Sequence, residues 1–172
     1  STRAIHLALK DAKINKEQVD YINFHGTSTI VNDKVETLAV KNLFNSLSPK
    51  IPVSSTKSMI GHPQGASGGL GVSVSLLSLY NNFLTPTINQ ENPDPDCDLD
   101  YVPNKGREKN LNIAISNCIS FGSKNSALVL GKFPRSRWST FFCDEPVWFG
   151  TQAVVFCFWV CLFCWLRAGF WI

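Results

Sequence analysis

In the run Tyr21-Ile22-Asn23-Phe24-His25-Gly26-Thr27-Ser28-Thr29, four residues with strand character end in a histidine. The histidine enters a turn of glycine and hydroxyl side chains. The same grammar returns later, where Ile51-Pro52-Val53-Ser54-Ser55 reads as a second strand and leads through Thr56-Lys57-Ser58-Met59-Ile60-Gly61 to His62. Each histidine follows a strand and opens a polar, glycine-containing turn, which is where α/β sheets place reactive groups. The third histidine, His6, falls within an amphipathic first helix whose face is Ala4, Ile5, Ala8 and Leu9, and it is expected to have no site role.

Outside these two runs the periodicity alternates between helix and strand. Asp33-Lys34-Val35-Glu36 has capping-box spacing, with Asp33 as cap and Glu36 reaching back, before a helix whose apolar face is Val35, Leu38, Ala39 and Leu43. Beyond His62 the small residues Gly65, Ala66, Ser67, Gly68, Gly69 and Gly71 open a helix that runs to Asn81, with Leu70, Val74 and Leu77 on one side. Each glycine there costs about 1 kcal/mol relative to alanine. Their density therefore predicts a buried helix that another backbone approaches closely. Thr85 to Pro103, with four prolines, is expected to cross the surface as a loop. Asn112 to Cys118 and Ser126 to Leu130 then read as two closing strands. The order βαβα plus a terminal hairpin implies a layered α/β unit.

The chain has 172 residues, and its composition breaks near Phe133-Pro134. All five tryptophans (138, 148, 159, 165 and 171) and four of the six cysteines (Cys143, Cys157, Cys161 and Cys164) lie in the last 39 residues. Residues 1–133 are therefore expected to form one domain and residues 134–172 an unrelated hydrophobic tail. Ala153 to Leu166 is an uncharged apolar run of 14 residues, short for a membrane span, so a membrane role depends on that tail alone. The alternative for the tail is translation past the normal end. Its cysteines have metal-like spacing, but the tail has no histidine, and no metal site is expected. The net charge of +3, with Lys and Arg scattered, excludes a nucleic-acid stripe.

Taken together, His25-Gly26-Thr27-Ser28-Thr29 with Asn32-Asp33-Lys34-Val35-Glu36, then Ser55 to His62, resembles the C-terminal half of the beta-ketoacyl-acyl-carrier-protein synthases. These are the elongating condensing enzymes of the thiolase fold. Pro86-Thr87-Ile88-Asn89, Asn92-Pro93-Asp94-Pro95 and Ser116-Asn117 running to Asn125 keep the same order and spacing over residues 1–133. The resemblance implies decarboxylative condensation of malonyl-acyl carrier protein with an acyl thioester, in fatty-acid or polyketide synthesis. It implies that His25 and His62 hold the enolate oxygen. Lys57 is implied beside Glu36, either as an ion pair bracing two loops or as an electrostatic influence on the histidines. Thr27 and Thr29 match threonines that bind the pantetheine arm.

The last motif, Ser116-Asn117-Cys118-Ile119-Ser120-Phe121-Gly122-Ser123-Lys124-Asn125, keeps the gating phenylalanine as Phe121 but departs from the family elsewhere. Ser120 and Ser123 replace glycines, so the gate loop is expected to be stiffer or to follow a different path. Ile119, shorter than the usual phenylalanine, is expected to alter the acyl pocket. The family's nucleophilic cysteine has no counterpart in this chain, because Cys118 aligns with a serine. A chain of this kind is expected to be inactive alone and to need the N-terminal half of the same enzyme.

The other expected features are a homodimer, acyl carrier protein as partner, and a cytoplasmic location, or a plastid or mitochondrial one in a eukaryote. No cofactor is expected on the chain itself, the 4'-phosphopantetheine being carried by acyl carrier protein. Three alternatives stand beside this reading. A non-condensing ketosynthase-like partner would bind carrier protein or shape chain length. A thiolase-type acyltransferase is disfavoured by the paired histidines, and a membrane-bound interaction protein depends on the tail.

Overall fold

The computed structural model describes residues 1–120, 122 and 124–132. The expectations placed on Phe121, on Ser123 and on the tail therefore lie outside the described residues. The chain opens with helix α1 (Thr2–Ala12), then strand β1 (Tyr21–Asn23), helix α2 (Asn32–Phe44), strand β2 (Val53–Ser54), the single turn α3 (Lys57–Ile60) and helix α4 (Ser67–Asn81). Strands β3 (Phe83–Leu84), β4 (Arg107–Glu108), β5 (Ile113–Ser120) and β6 (Lys124–Gly131) complete it.

The main sheet has the order β2-β1-β5-β6. β1 runs parallel to both β2 and β5, and β6 closes against β5 as an antiparallel hairpin. Side chains alternate across β1, and each set enters its own core. Ile22 and Phe24 meet Ile5, Leu9, Val40, Leu43 and Phe44 from α1 and α2. Tyr21 meets Leu79 of α4 with Leu84, Val102, Leu111 and Ala114. The result is a helix–sheet–helix sandwich, a layered α/β unit as the strand and helix alternation predicts. β3 pairs with β4 as a small antiparallel sheet that the sequence reading did not contain.

The glycine-rich entry to α4 is only partly a close approach. A Cβ on Gly71 would lie 2.9 Å from Ser116 Oγ and 3.3 Å from Asn23 Oδ1, so here the helix sits directly on the sheet. Gly65, Gly68 and Gly69 have nothing within 4 Å of such an atom. The buried side of α4 is Gly71, Ser75, Ser78 and Leu79, whereas Leu77 is 59% exposed. The expected apolar side of Leu70, Val74 and Leu77 is therefore not the side that packs, because β5 comes too near for large side chains. In α2, likewise, Ala39 and Leu43 are buried, but Val35 and Leu38 are exposed.

Candidate active site

Glu36 anchors the site. It is fully buried in α2, and its carboxylate accepts the backbone N–H of His25 at 2.8 Å on Oε1 and that of Gly26 at 2.9 Å on Oε2. Asn117 Nδ2 on β5 donates to Oε1 at 2.6 Å, and Asn32 Nδ2 reaches Oε2 at 3.4 Å. Burial pushes the Glu36 carboxyl up, and these donors pull the other way. The capping box expected from the sequence is absent. Asp33 lies inside the first turn of α2 and accepts the Ser28 N–H at 3.2 Å, while Glu36 is committed to the turn after β1.

That turn is clamped from its other side by Ser55. Ser55 Oγ donates to the Gly26 carbonyl at 2.7 Å, and a Cβ on Gly26 would overlap the Ser55 side chain. Gly26 also has φ +41°, a left-handed conformation in which glycine is least strained. His25 is thereby delivered from the end of β1 in one backbone position.

His62 arrives from the end of β2 by way of α3, which Gly61, at φ +74°, terminates. The two imidazoles meet edge to face, with centroids 5.4 Å apart and planes at 84°. His25 is buried and His62 is exposed. The His62 ring has a defined tautomer, because the Gln64 backbone N–H donates to Nδ1 at 3.1 Å. An Nδ1 that accepts leaves the proton on Nε2. Ser67 Oγ lies 3.0 Å from the same nitrogen.

Lys57 Nζ lies 3.5 Å from His25 Nδ1, and an ammonium can only donate. His25 therefore also carries its proton on Nε2. Burial, then the Lys57 cation, then the second imidazole hold the His25 pKa down at about 4, so the ring is neutral near pH 7. Burial lowers the Lys57 pKa, with Cys118 and Glu36 acting in the opposite direction. No ion pair within 4 Å joins Lys57 to Glu36 among the described residues. Lys57 lies within contact of the histidine, and its relation to Glu36 is a longer-range electrostatic one.

A cavity of ≈ 610 Å³ opens beside the pair, lined by Thr27, Thr29, Lys57, His62, Thr87 and Tyr101 among others. Thr27 and Thr29 hydroxyls lie 3.0 Å apart on its wall. The segment after β3 forms the opposite wall. It is pinned by the Ser55 N–H donating to Thr87 Oγ1 at 3.1 Å and the Ile88 N–H donating to Ser58 Oγ at 3.0 Å.

The expected gate loop is shorter than the sequence suggested. Ile119 and Ser120 are residues of β5, paired with Asn125 and Lys124, not of the loop. Ser120 sits in extended strand backbone, where serine carries no left-handed penalty. Gly122 does turn with φ +73°. Asn117 belongs to the Ser116–Asn125 motif, and the sequence alone assigns it no site role. A polar side chain facing α2 between apolar strand neighbours was the signal that could have singled it out.

Residues 1–91 match the family described as "Beta-ketoacyl synthase, C-terminal domain". Over 133 residues the chain is 47% identical to 3-oxoacyl-[acyl-carrier-protein] synthase 2 of Synechocystis sp., a match covering 77% of this chain and 32% of that protein. Among solved structures, the ishigamide ketosynthase/chain length factor superposes with a TM-score of 0.74 at 38% identity, over 77% of this chain and 32% of that one. A type II polyketide ketosynthase, in complex with its acyl carrier protein and bound to the hexaketide, gives 0.73 at 39% identity, over 74% and 31%. The chain thus has the layered, thiolase-like architecture of ketosynthases and spans about a third of the length of the curated relatives it matches.

Proposed function

Because the chain belongs to the beta-ketoacyl synthase family, through that family's C-terminal domain, we propose that it forms the decarboxylation wall of a 3-oxoacyl-acyl-carrier-protein synthase. A malonyl thioester enters the cavity on the phosphopantetheine arm of acyl carrier protein, with Thr27 and Thr29 along the arm. The bond between the carboxylate and the α-carbon breaks, carbon dioxide leaves, and the electron pair passes into an enolate whose charge rests on the thioester oxygen. Nε2–H of His25 and Nε2–H of His62 donate to that oxygen. The α-carbon then attacks an acyl-cysteine thioester, forming the new carbon–carbon bond and expelling the cysteine thiolate.

One observation carries this reading: two neutral-capable imidazoles at right angles, each with Nδ1 engaged and Nε2 left as the donor. Preorganised donors of this kind are worth about 100- to 1000-fold each in rate. Burial, reinforced by the Lys57 cation, keeps His25 neutral, and the Lys57 donor beside Nδ1 selects this tautomer. In this reading the acyl-cysteine belongs to an N-terminal portion of the enzyme, corresponding to the part of the longer relatives that this chain does not span, and the assembled enzyme is a homodimer. The second reading, a non-condensing partner that shapes chain length, draws on the similarity to a ketosynthase/chain length factor. The histidine pair favours the condensing role.

A hybrid in which residues 1–132 replace the matching third of a longer family member tests the proposal. It should release carbon dioxide from malonyl-acyl carrier protein and form a 3-oxoacyl product. A folded hybrid that binds carrier protein but releases no carbon dioxide would favour the non-condensing role.

A further inference from the structure

Asn117 is buried on β5, and one of its two amide donors serves Glu36. Its Nδ2 donates to Glu36 Oε1 at 2.6 Å and to Ser1 Oγ at 3.2 Å, while its Oδ1 is buried with no partner among the described residues. A buried acceptor left unpaired is unfavourable and calls for a reason. Glu36 Oε1 is also the acceptor for the His25 N–H. Asn117 therefore stands directly behind the carboxylate that holds His25, and it sits three residues before the end of β5.

We infer that Asn117 is a positioning residue: by holding the Glu36 carboxylate toward the His25–Gly26 backbone, it fixes the imidazole of His25 against His62. This role rests on the decarboxylation reading only for its purpose, since the geometry itself is independent of the reaction. The titratable groups around Glu36 are His25 on the turn, Lys57 on α3 with Cys118 beside it, and Asp33 on its own helix; ahead of α1, Ser1 brings its hydroxyl to Asn117 and carries the chain's terminal amine.

The test is amide hydrogen exchange by NMR on the full 172-residue chain. Asn117→Ala should speed exchange at His25 and Gly26 by on the order of tenfold, as loss of a hydrogen bond to a charged group implies. Val53, whose N–H donates to Asp100, should keep its rate. Asn117→Asp adds a discriminating profile. At low pH, where the two carboxyls share a proton, it donates to Glu36 and should restore slow exchange; near pH 8 it should match the alanine variant. Unchanged exchange at His25 and Gly26, an even loss that includes Val53, or an aspartate profile flat with pH would overturn the role. In the hybrid synthase, Asn117→Ala should lower kcat for carbon dioxide release while leaving KM for malonyl-acyl carrier protein. If the exchange results hold and the hybrid releases no carbon dioxide in any form, positioning stands and the decarboxylation reading fails.

Discussion

The His25 imidazole meets the edge of His62 at 84° and 5.4 Å, although the two residues come from the ends of different strands. β1 and β2 are parallel neighbours, so their C-terminal ends lie side by side and their following turns share one rim. Parallel pairing thereby brings together two histidines separated by more than thirty positions. Everything else at the site serves to hold them: Glu36 and Ser55 fix the first turn, and Gln64 fixes the second ring.

The environment of His25 should be visible in its titration. Its folded pKa, lowered to about 4 from 6.5, means that the unfolded chain binds a proton that the folded chain refuses between those values. The contribution of this group to stability is complete above pH 6.5 and is lost as pH falls toward 4, at no more than about 1.4 kcal/mol per pH unit. Glu36 is shifted in the opposite sense, so the ring resonance is the cleaner readout than global stability. NMR titration should place His25 near 4, and Lys57→Met should raise it while leaving it below 6.5, because burial remains.

Gly26→Ala should destabilise the fold by about 2–4 kcal/mol, from left-handed backbone strain together with overpacking against Ser55. Gly61, at φ +74° and ψ −173°, occupies a backbone region essentially restricted to glycine but has open space around it, and Gly61→Ala should cost about 1–3 kcal/mol. Urea denaturation of the two variants separates the steric part from the conformational part.

Tyr21 ties the sheet to the segment beyond β3. Its hydroxyl lies 2.7 Å from Ser54 Oγ and 3.3 Å from Thr85 Oγ1, and accepts from Asn23 Nδ2 at 3.1 Å. Tyr21→Phe leaves those buried groups short of a partner and should lower stability by about 1–3 kcal/mol in the same assay.

The ion pairs Lys34–Asp94, Lys34–Asp96 and Lys41–Asp98 clip the proline-rich wall of the cavity to α2, but all lie at the surface. Surface pairs contribute about 0–1 kcal/mol and are screened by salt. Lys34→Ala should therefore change the melting temperature little, and less at 0.5 M salt than at low salt.

The layered order, the two histidine turns and the closing hairpin were legible because each has a local signature: a strand followed by a glycine turn, or an alternating apolar run. Less was readable where distant elements decide the outcome. Glu36 fits a capping box in isolation, but the unpaired N–H groups of His25 and Gly26 draw it away from the helix end. The apolar face of α4 reads as Leu70, Val74 and Leu77, but the helix packs on the sheet through Gly71, Ser75, Ser78 and Leu79. Lys57 was assigned to Glu36 by resemblance, whereas backbone and amide donors already occupy that carboxylate. At Asn117 the local pattern marks only a polar residue within an apolar strand, and its role depends on a partner eighty-one positions away.

Carbon dioxide release from malonyl-acyl carrier protein, measured in the hybrid synthase with His25→Ala, His62→Ala and the double variant, tests the central claim. Each single substitution should slow release by about 100- to 1000-fold, with the folded state retained by circular dichroism. Release at the parental rate in the folded double variant would contradict the assignment of the histidine pair as the enolate-binding site.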